Sequence, residues 1–375
     1  MIIKGGYVLN DQFQFEKNDI SWTGDTIDSI APAGAGDIDA TDCYVVPGFI
    51  DTHFHGSVGK TFLGFGRDVY EAVAAYMAKN GTTSIVPTFS AAPKAKLLDS
   101  LQGAMDYVAA GEKANCAGVV GIHLEGPFFS EVYKGAHLPE NIRNADAEEF
   151  QEYVDLAGDF LKIMTMAPEL PGADAVIDCA VKNNVCISIG HTDATYEQTV
   201  HAVERGAQQG THLFNAMRGL KHRDPGTVGG ILLTDAKAEL ICDFFHVHKD
   251  VVKMVYRLKG SDKINMITDS VMANGLPDGE YTDTDGQILY VKNGQAYTAS
   301  GTIAGSSICL IQGVRNLVSI GIPLEEACKM ASRNPAQTIG MYHKIGSLTP
   351  GKQADMVVLD KDLNIKHVVV RGVLL

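Results

Sequence analysis

From about residue 45 to residue 340, short runs of apolar and β-branched residues alternate with stretches whose apolar positions recur at helical spacing. This is the pattern of repeated βα units, in which each helix carries the chain back so that the next strand runs parallel to the last. Eight runs predict strands, at 45–53, 83–89, 119–127, 161–169, 185–193, 209–217, 238–246 and 263–271. Between them, segments such as DVYEAVAAYMAKNG and DAEEFQEYVDLAG predict helices closed by Gly or Asn-Gly. Eight strands with intervening helices in roughly 225 residues suit a (β/α)8 TIM-like barrel.

The flanks read differently. Two further helices are predicted at 307–321 and 323–340, separated from the eighth strand by a strand-like excursion around 280–299 that reads as a hairpin insertion. Residues 1–44 alternate and turn often, and 354–375 is again strand-like. Each end has too few strands to be stable alone, so the two are expected to pair into one small β-sandwich domain. The expected organisation is therefore α/β, with 1–48 and 346–375 forming the β-domain and 49–345 the barrel.

Composition narrows the function. The chain has 375 residues, 45% of them hydrophobic, a net charge of −14 and no basic block, which makes nucleic acid an unsuitable partner. No apolar run approaches the length of a membrane span and no signal-peptide pattern opens the chain, so no membrane partner and a cytoplasmic location are expected. The seven cysteines are scattered without a C-x-x-C pair, which fits buried thiols in a reducing compartment better than disulfides or a cysteine zinc site.

Candidate chemistry lies at the strand ends. In a barrel of this kind, residues at the C-terminal ends of the strands converge on one mouth. His53 and His55 end strand one, His123 and Glu125 strand three, His191 and Asp193 strand five, His212 and Asn215 strand six, His246 and His248 strand seven, and Asp269 strand eight. A His-x-His pair in a chain with twelve histidines can arise by chance, and any single strand-end histidine can be a hydrogen-bonded rim residue. Taken together, imidazoles and carboxylates from different strands form the donor set a divalent metal requires. Glu125, His191 and His212 are the expected core of the site, with His53 and His55 as further ligands; His123 and His248 are the expected bystanders. Asp269 can serve as a proton acceptor and donor beside an activated water, or simply cap a helix.

The motifs PGFIDTHFHG (47–56), HLEGPF (123–128), KGAH (134–137), GHTDAT (190–195), THLFNAM (211–217), DFFHVH (243–248), ITDS (267–270), GTIAGS (301–306) and GSLTPGKQADMVVLD (346–360) resemble the amidohydrolase superfamily and, within it, the N-acetylglucosamine-6-phosphate deacetylases. The resemblance extends over essentially the whole chain. It implies hydrolysis of the N-acetyl group of a phosphorylated amino sugar, with Glu125, His191 and His212 holding the principal metal. Asp269 would act as general base and acid, and His137 would polarise the acetyl carbonyl. Substrate contacts would come from Ala136, His137, Asn215, Ala216, Arg223 and His246, with Ile303, Ala304 and Gly305 closing over the sugar. The resemblance further implies one or two divalent ions per subunit, zinc or iron foremost and manganese or cobalt also suited, and a homodimer with its phosphate site near the subunit interface.

This chain departs from the superfamily pattern at strand four, which ends in Met-Ala-Pro-Glu (166–169) where many members carry a carbamylated lysine. The bridging carboxylate then falls to Glu125. The residues alone leave two rivals open: another amidohydrolase, such as a deaminase or cyclic-amide hydrolase with the same metal cage, or a catalytically silent barrel acting as a binding module. KHRD (221–224) could likewise be a solvated charge cluster, and His137 a surface-loop residue.

Overall fold

The computed structural model describes residues 1–375 except Ala33, Phe65, Asp283, Thr284, Asp285 and Gln287. All eight expected barrel strands form, at Phe49–Phe54, Thr82–Ser90, Gly118–Val119 continuing as Ile122–Glu125, Leu161–Met166, Cys186–Ile189, Gln209–Gly210, Lys237–Ile241 and Ile264–Ile267. They are parallel and follow one another around the sheet, with strand one pairing strand two. Strands one, four, five and eight carry almost wholly buried side chains, as a parallel sheet covered by helices requires.

The barrel closes between strands eight and one through an irregular set of bonds. Asp269 N donates to His53 O at 2.8 Å and His55 N to Ser270 O at 2.7 Å. Below them the buried Asp51 carboxylate accepts from Thr268 Oγ1 at 2.6 Å. A side chain from strand one thus takes the place of a backbone acceptor at the seam. Burial pushes the Asp51 carboxyl up to about 7, against the pull of its bonds to Thr268 and the His53 amide.

Both chain ends enter one eight-stranded sheet. Tyr44–Pro47 pairs antiparallel with Met356–Leu359, so the two termini are spliced beside the point where the chain enters barrel strand one. Ile3, Ile20, Trp22, Ile27, Met356, Val358 and Val369 share a core separate from that of the barrel, and Trp22 Nε1 donates to Gly372 O at 2.8 Å.

Two expectations change in detail. The segment 323–340 is two helices, Leu324–Ala331 and Arg333–Thr338, with the break at Ser332. Pro335 explains it: proline has no N–H to donate to Ala331 O, and its ring crowds that carbonyl. The excursion at 280–299 is a three-stranded antiparallel unit, Gly279–Thr282, Ile288–Lys292 and Gln295–Thr298; its residues 283–285 and 287 lie outside the described residues. No helix among the described residues is long and apolar enough to cross a membrane.

The seam makes the stability of the barrel sensitive to one hydroxyl. Thr268→Val, which keeps the shape and removes the donor to Asp51, should cost about 1–3 kcal/mol in urea unfolding. A loss too small to measure would mean that the Asp51 bond does not hold the closure.

Candidate active site

Glu125 ends barrel strand three with its side chain almost fully buried, and five imidazoles surround its carboxylate. Oε1 lies 3.1 Å from His191 Nε2, 3.2 Å from His212 Nε2 and 3.3 Å from His53 Nε2. Oε2 lies 3.3 Å from both His55 Nε2 and His137 Nε2. Asp269 completes the group from strand eight, with Oδ1 3.3 Å from His55 Nε2 and 3.5 Å from His53 Nε2.

The backbone around these residues explains why the strands end sooner than expected. His191, His212 and Asp269 all have positive φ, at 49°, 28° and 49°, as do Phe214 and Ala216. This conformation is uncommon for non-glycine residues and concentrates where a site overrides local preference. The predicted strand 209–217 therefore keeps only Gln209–Gly210 as strand, and the rest turns to aim its polar groups at the mouth. Side-chain bonds hold the turn after strand five: Glu169 accepts from Thr192 Oγ1 at 2.5 Å and from the Asp193 amide at 2.6 Å.

Two triads have ligand atoms within 4.8 Å of one another, His53 with His55 and Asp269, and Glu125 with His191 and His212. The donor set fits a metal, because hydrogen bonding alone leaves it unsatisfied. The Nε2 atoms of His191 and His212 face each other at 3.2 Å, and His53 Nε2, fully buried, has no aligned hydrogen-bond partner among the described residues. Two of the outer ring nitrogens are anchored, His191 Nδ1 3.0 Å from Tyr133 O and His55 Nδ1 3.0 Å from Ser90 Oγ, whereas the buried His212 Nδ1 has no hydrogen-bond partner among the described residues. Such outer partners fix ring orientation and tautomer.

Electrostatics follow from packing carboxylates and imidazoles together out of water. Burial opposes charge on His53, but Glu125, Glu239 and Asp269 outweigh it and raise its pKa well above the ordinary value. His55 is pushed up to about 9 because Asp269 and Glu125 overcome its burial. For His191 burial prevails over the Glu125 contact, and its pKa falls to about 4. Burial would raise Glu125 and Asp269, yet the neighbouring histidines hold both well below the carboxylate range. The site favours ionised carboxylates facing positive charge, and a metal ion competes with protons for the same nitrogens.

Above this cluster opens a cavity of about 520 Å³, lined among others by Ala136, His137, Asn215, Ala216, His246, Ile303, Ala304 and Gly305. His246 donates through Nδ1 to Asp243 Oδ2 at 2.6 Å, which leaves its buried Nε2 without a hydrogen-bond partner among the described residues. Two glycines set the approach. A Cβ on Gly135 would lie 3.1 Å from the His191 ring, and one on Gly305 would lie 2.6 Å from Asp269 O; both have positive φ. Phe129 stacks on His191 with ring centroids 4.3 Å apart.

Arg223 is the expected site residue that the structure does not bring to this cavity. A tight pairing of Lys221 with Asp224 turns the loop outward, and Arg223 is exposed beside His222. Among the described residues lining the cavity there is no Lys or Arg. His123 sits below the site, 2.8 Å from Thr165 Oγ1 with its ring edge-on to His53, and His248 is an exposed helix cap. Glu239, which lies inside its strand and so outside the strand-end pattern, is a fully buried acid 3.0 Å from His53 Nδ1. Its signal was a lone carboxylate inside the apolar run AELIC.

Residues 44–375 match the Amidohydrolase family. The N-acetylglucosamine-6-phosphate deacetylase of Lysinibacillus sphaericus is 39% identical over 380 residues, covering 99% of this chain and 97% of the relative. The N-acetylgalactosamine-6-phosphate deacetylase of Escherichia coli O157:H7 is 37% identical over 331 residues, covering 87% of this chain and 86% of the relative. Among solved structures, a mutant N-acetyl-D-glucosamine-6-phosphate deacetylase from Mycobacterium smegmatis in complex with N-acetyl-D-glucosamine-6-phosphate is similar with a TM-score of 0.94 and 33% identity, covering 100% of this chain and 98% of that one. With a site of metal-ligating geometry and similarity along its whole length, the chain belongs to the amidohydrolase family and, within it, to the N-acetylglucosamine-6-phosphate deacetylases.

Proposed function

We propose that this protein hydrolyses the N-acetyl amide of N-acetyl-D-glucosamine 6-phosphate to D-glucosamine 6-phosphate and acetate, in amino-sugar catabolism or recycling. The observation that carries the reading is the convergence of Asp269 and His137 on the histidine–Glu125 cluster at the floor of the cavity. When bound, a divalent cation supplies Lewis-acid activation of water and polarisation of the acetyl carbonyl. Glu125, His191 and His212 would hold it, and His53 and His55 give the site capacity for one or two ions per subunit. Zinc or iron suits these nitrogen and carboxylate donors best, and manganese or cobalt also fits.

The chain's own residues then carry the proton transfers. Asp269, kept ionised by its histidine neighbours, takes the proton of the attacking water as the new C–O bond forms. His137 donates a hydrogen bond to the carbonyl oxygen as negative charge develops there. As the C–N bond breaks, Asp269 returns the proton to the amide nitrogen, which leaves as the amine. Asn215, Ala216 and His246 contact the sugar phosphate, and Ile303, Ala304 and Gly305 close over the ring.

A phosphate dianion needs cations, and among the described residues the cavity wall offers no Lys or Arg. The exposed Arg223 meets that need when it is presented to the cavity of a second copy, which makes the working unit a homodimer. The seven free thiols suit a cytoplasmic setting.

Asp269→Asn should lower the rate of acetate release about 100- to 10,000-fold while the ion held by Glu125, His191 and His212 is retained; near-normal turnover would remove Asp269 from the proton path. Arg223→Ala should raise KM for the phosphorylated sugar about 10- to 100-fold with little change in kcat, and an unchanged KM would take Arg223 out of phosphate binding. Exhaustive chelation should abolish acetate release and added divalent metal should restore it. Full activity in metal-free protein would contradict the proposed chemistry.

A further inference from the structure

A line of polar side chains crosses the barrel interior beneath the active site, and each link leaves its neighbour little choice of orientation. Lys237 Nζ donates to Thr338 Oγ1 at 2.9 Å, and Asn265 Nδ2 donates to the same oxygen at 2.9 Å. Asn265 Nδ2 also donates to Gln209 Oε1 at 2.8 Å. With its oxygen so engaged, Gln209 must turn its Nε2 upward, where it donates to Glu239 Oε1 at 2.8 Å. The second Glu239 oxygen lies 3.0 Å from His53 Nδ1 and 3.3 Å from the His212 amide.

Glu239 is fully buried, and among the described residues it has no Lys or Arg partner. A carboxylate accepts and does not donate, so the proton between it and His53 belongs to Nδ1. Nε2 of His53 then faces Glu125 and Asp269, where it is the nitrogen that can exchange its proton for a cation. A buried carboxylate behind an imidazole raises the ring's affinity for a cation on its far side and holds the ring against rotation. The same carboxylate accepts from the His212 amide in the turn after strand six, so it touches a member of each triad.

We propose that Glu239 is a positioning residue of the metal centre, which fixes His53 as its Nδ1–H tautomer and thereby readies the His53, His55 and Asp269 triad to bind a divalent cation. The inference rests on the metal-dependent reading given above. It assigns a role to an acid that touches neither substrate nor metal. Gln209 and Asn265 set the orientation of Glu239 in turn, which gives these two buried amides a role.

The test is a double-mutant cycle read by zinc affinity. Apo-protein of the wild type, Glu239→Gln, His53→Ala and the double variant would be titrated with zinc against a chromophoric chelator. Glu239→Gln should weaken the His53-dependent binding about 10- to 100-fold, and in the His53→Ala background it should change affinity less than about twofold. Wild-type affinity in Glu239→Gln, or losses that add in full, would overturn the proposal. Nitrogen NMR of the zinc-loaded wild-type protein gives a second reading that does not depend on how the variants fold. His53, assigned by its absence in His53→Ala, should carry its proton on Nδ1, and a proton on Nε2 would overturn the proposal. Acetate release by the wild type, measured in parallel, keeps a failure of the deacetylase reading distinguishable from a failure of this one.

Discussion

A carboxylate cannot sit ionised at the dry centre of a barrel without compensating positive charge, and Glu125 is 2% exposed. Its two oxygens are the point on which five histidine rings from four different parts of the chain converge. Much of the local structure follows from that demand. His191, His212 and Asp269 hold left-handed backbone conformations, and the surrounding folds pin them in place. Glu169 bonds the residues that follow His191, and Gly305 allows the loop from the three-stranded insertion to press against the Asp269 carbonyl. The strain is local and the restraint is distributed.

The barrel strands supply the floor of the site, and the turns and loops that follow them supply its rim. Strands one, three and eight carry Glu125, Asp269 and the His-x-His pair at their ends, and the Asp51 to Thr268 seam keeps strand eight against strand one. The cavity is walled by turns and loops above them, with the Lys134–His137 loop bringing His137 down onto Glu125.

Much of this was readable in the residues. His53 and His55, two apart on a strand, had to face one side, and eight apolar runs separated by helical spacing had to close a barrel. The ligand set followed from asking which polar residues end those runs. What stayed hidden has physical causes. Strand lengths were overestimated because the functional turns borrow apolar residues such as Leu213 and Met217, whose burial mimics strand patterning. The role of Pro335 in splitting a helix was visible in principle, since its missing N–H sits mid-helix. Arg223 has no readable place in the sequence, because its side relative to the cavity is set by the turn that pairs Lys221 with Asp224. Glu239 is an acid in an apolar strand, and only the three-dimensional neighbour at His53 gives it meaning.

The account stands or falls on whether this cavity selects a phosphorylated N-acetyl amino sugar for metal-dependent amide hydrolysis. The direct measurement is acetate release by the purified, metal-analysed protein from N-acetyl-D-glucosamine 6-phosphate, beside unphosphorylated N-acetyl-D-glucosamine and the galactosamine epimer. The account predicts at least one divalent ion per chain and a kcat/KM for the 6-phosphate far above that for the free sugar. Equal turnover of both, or no acetate from either by a metal-loaded protein, would contradict it.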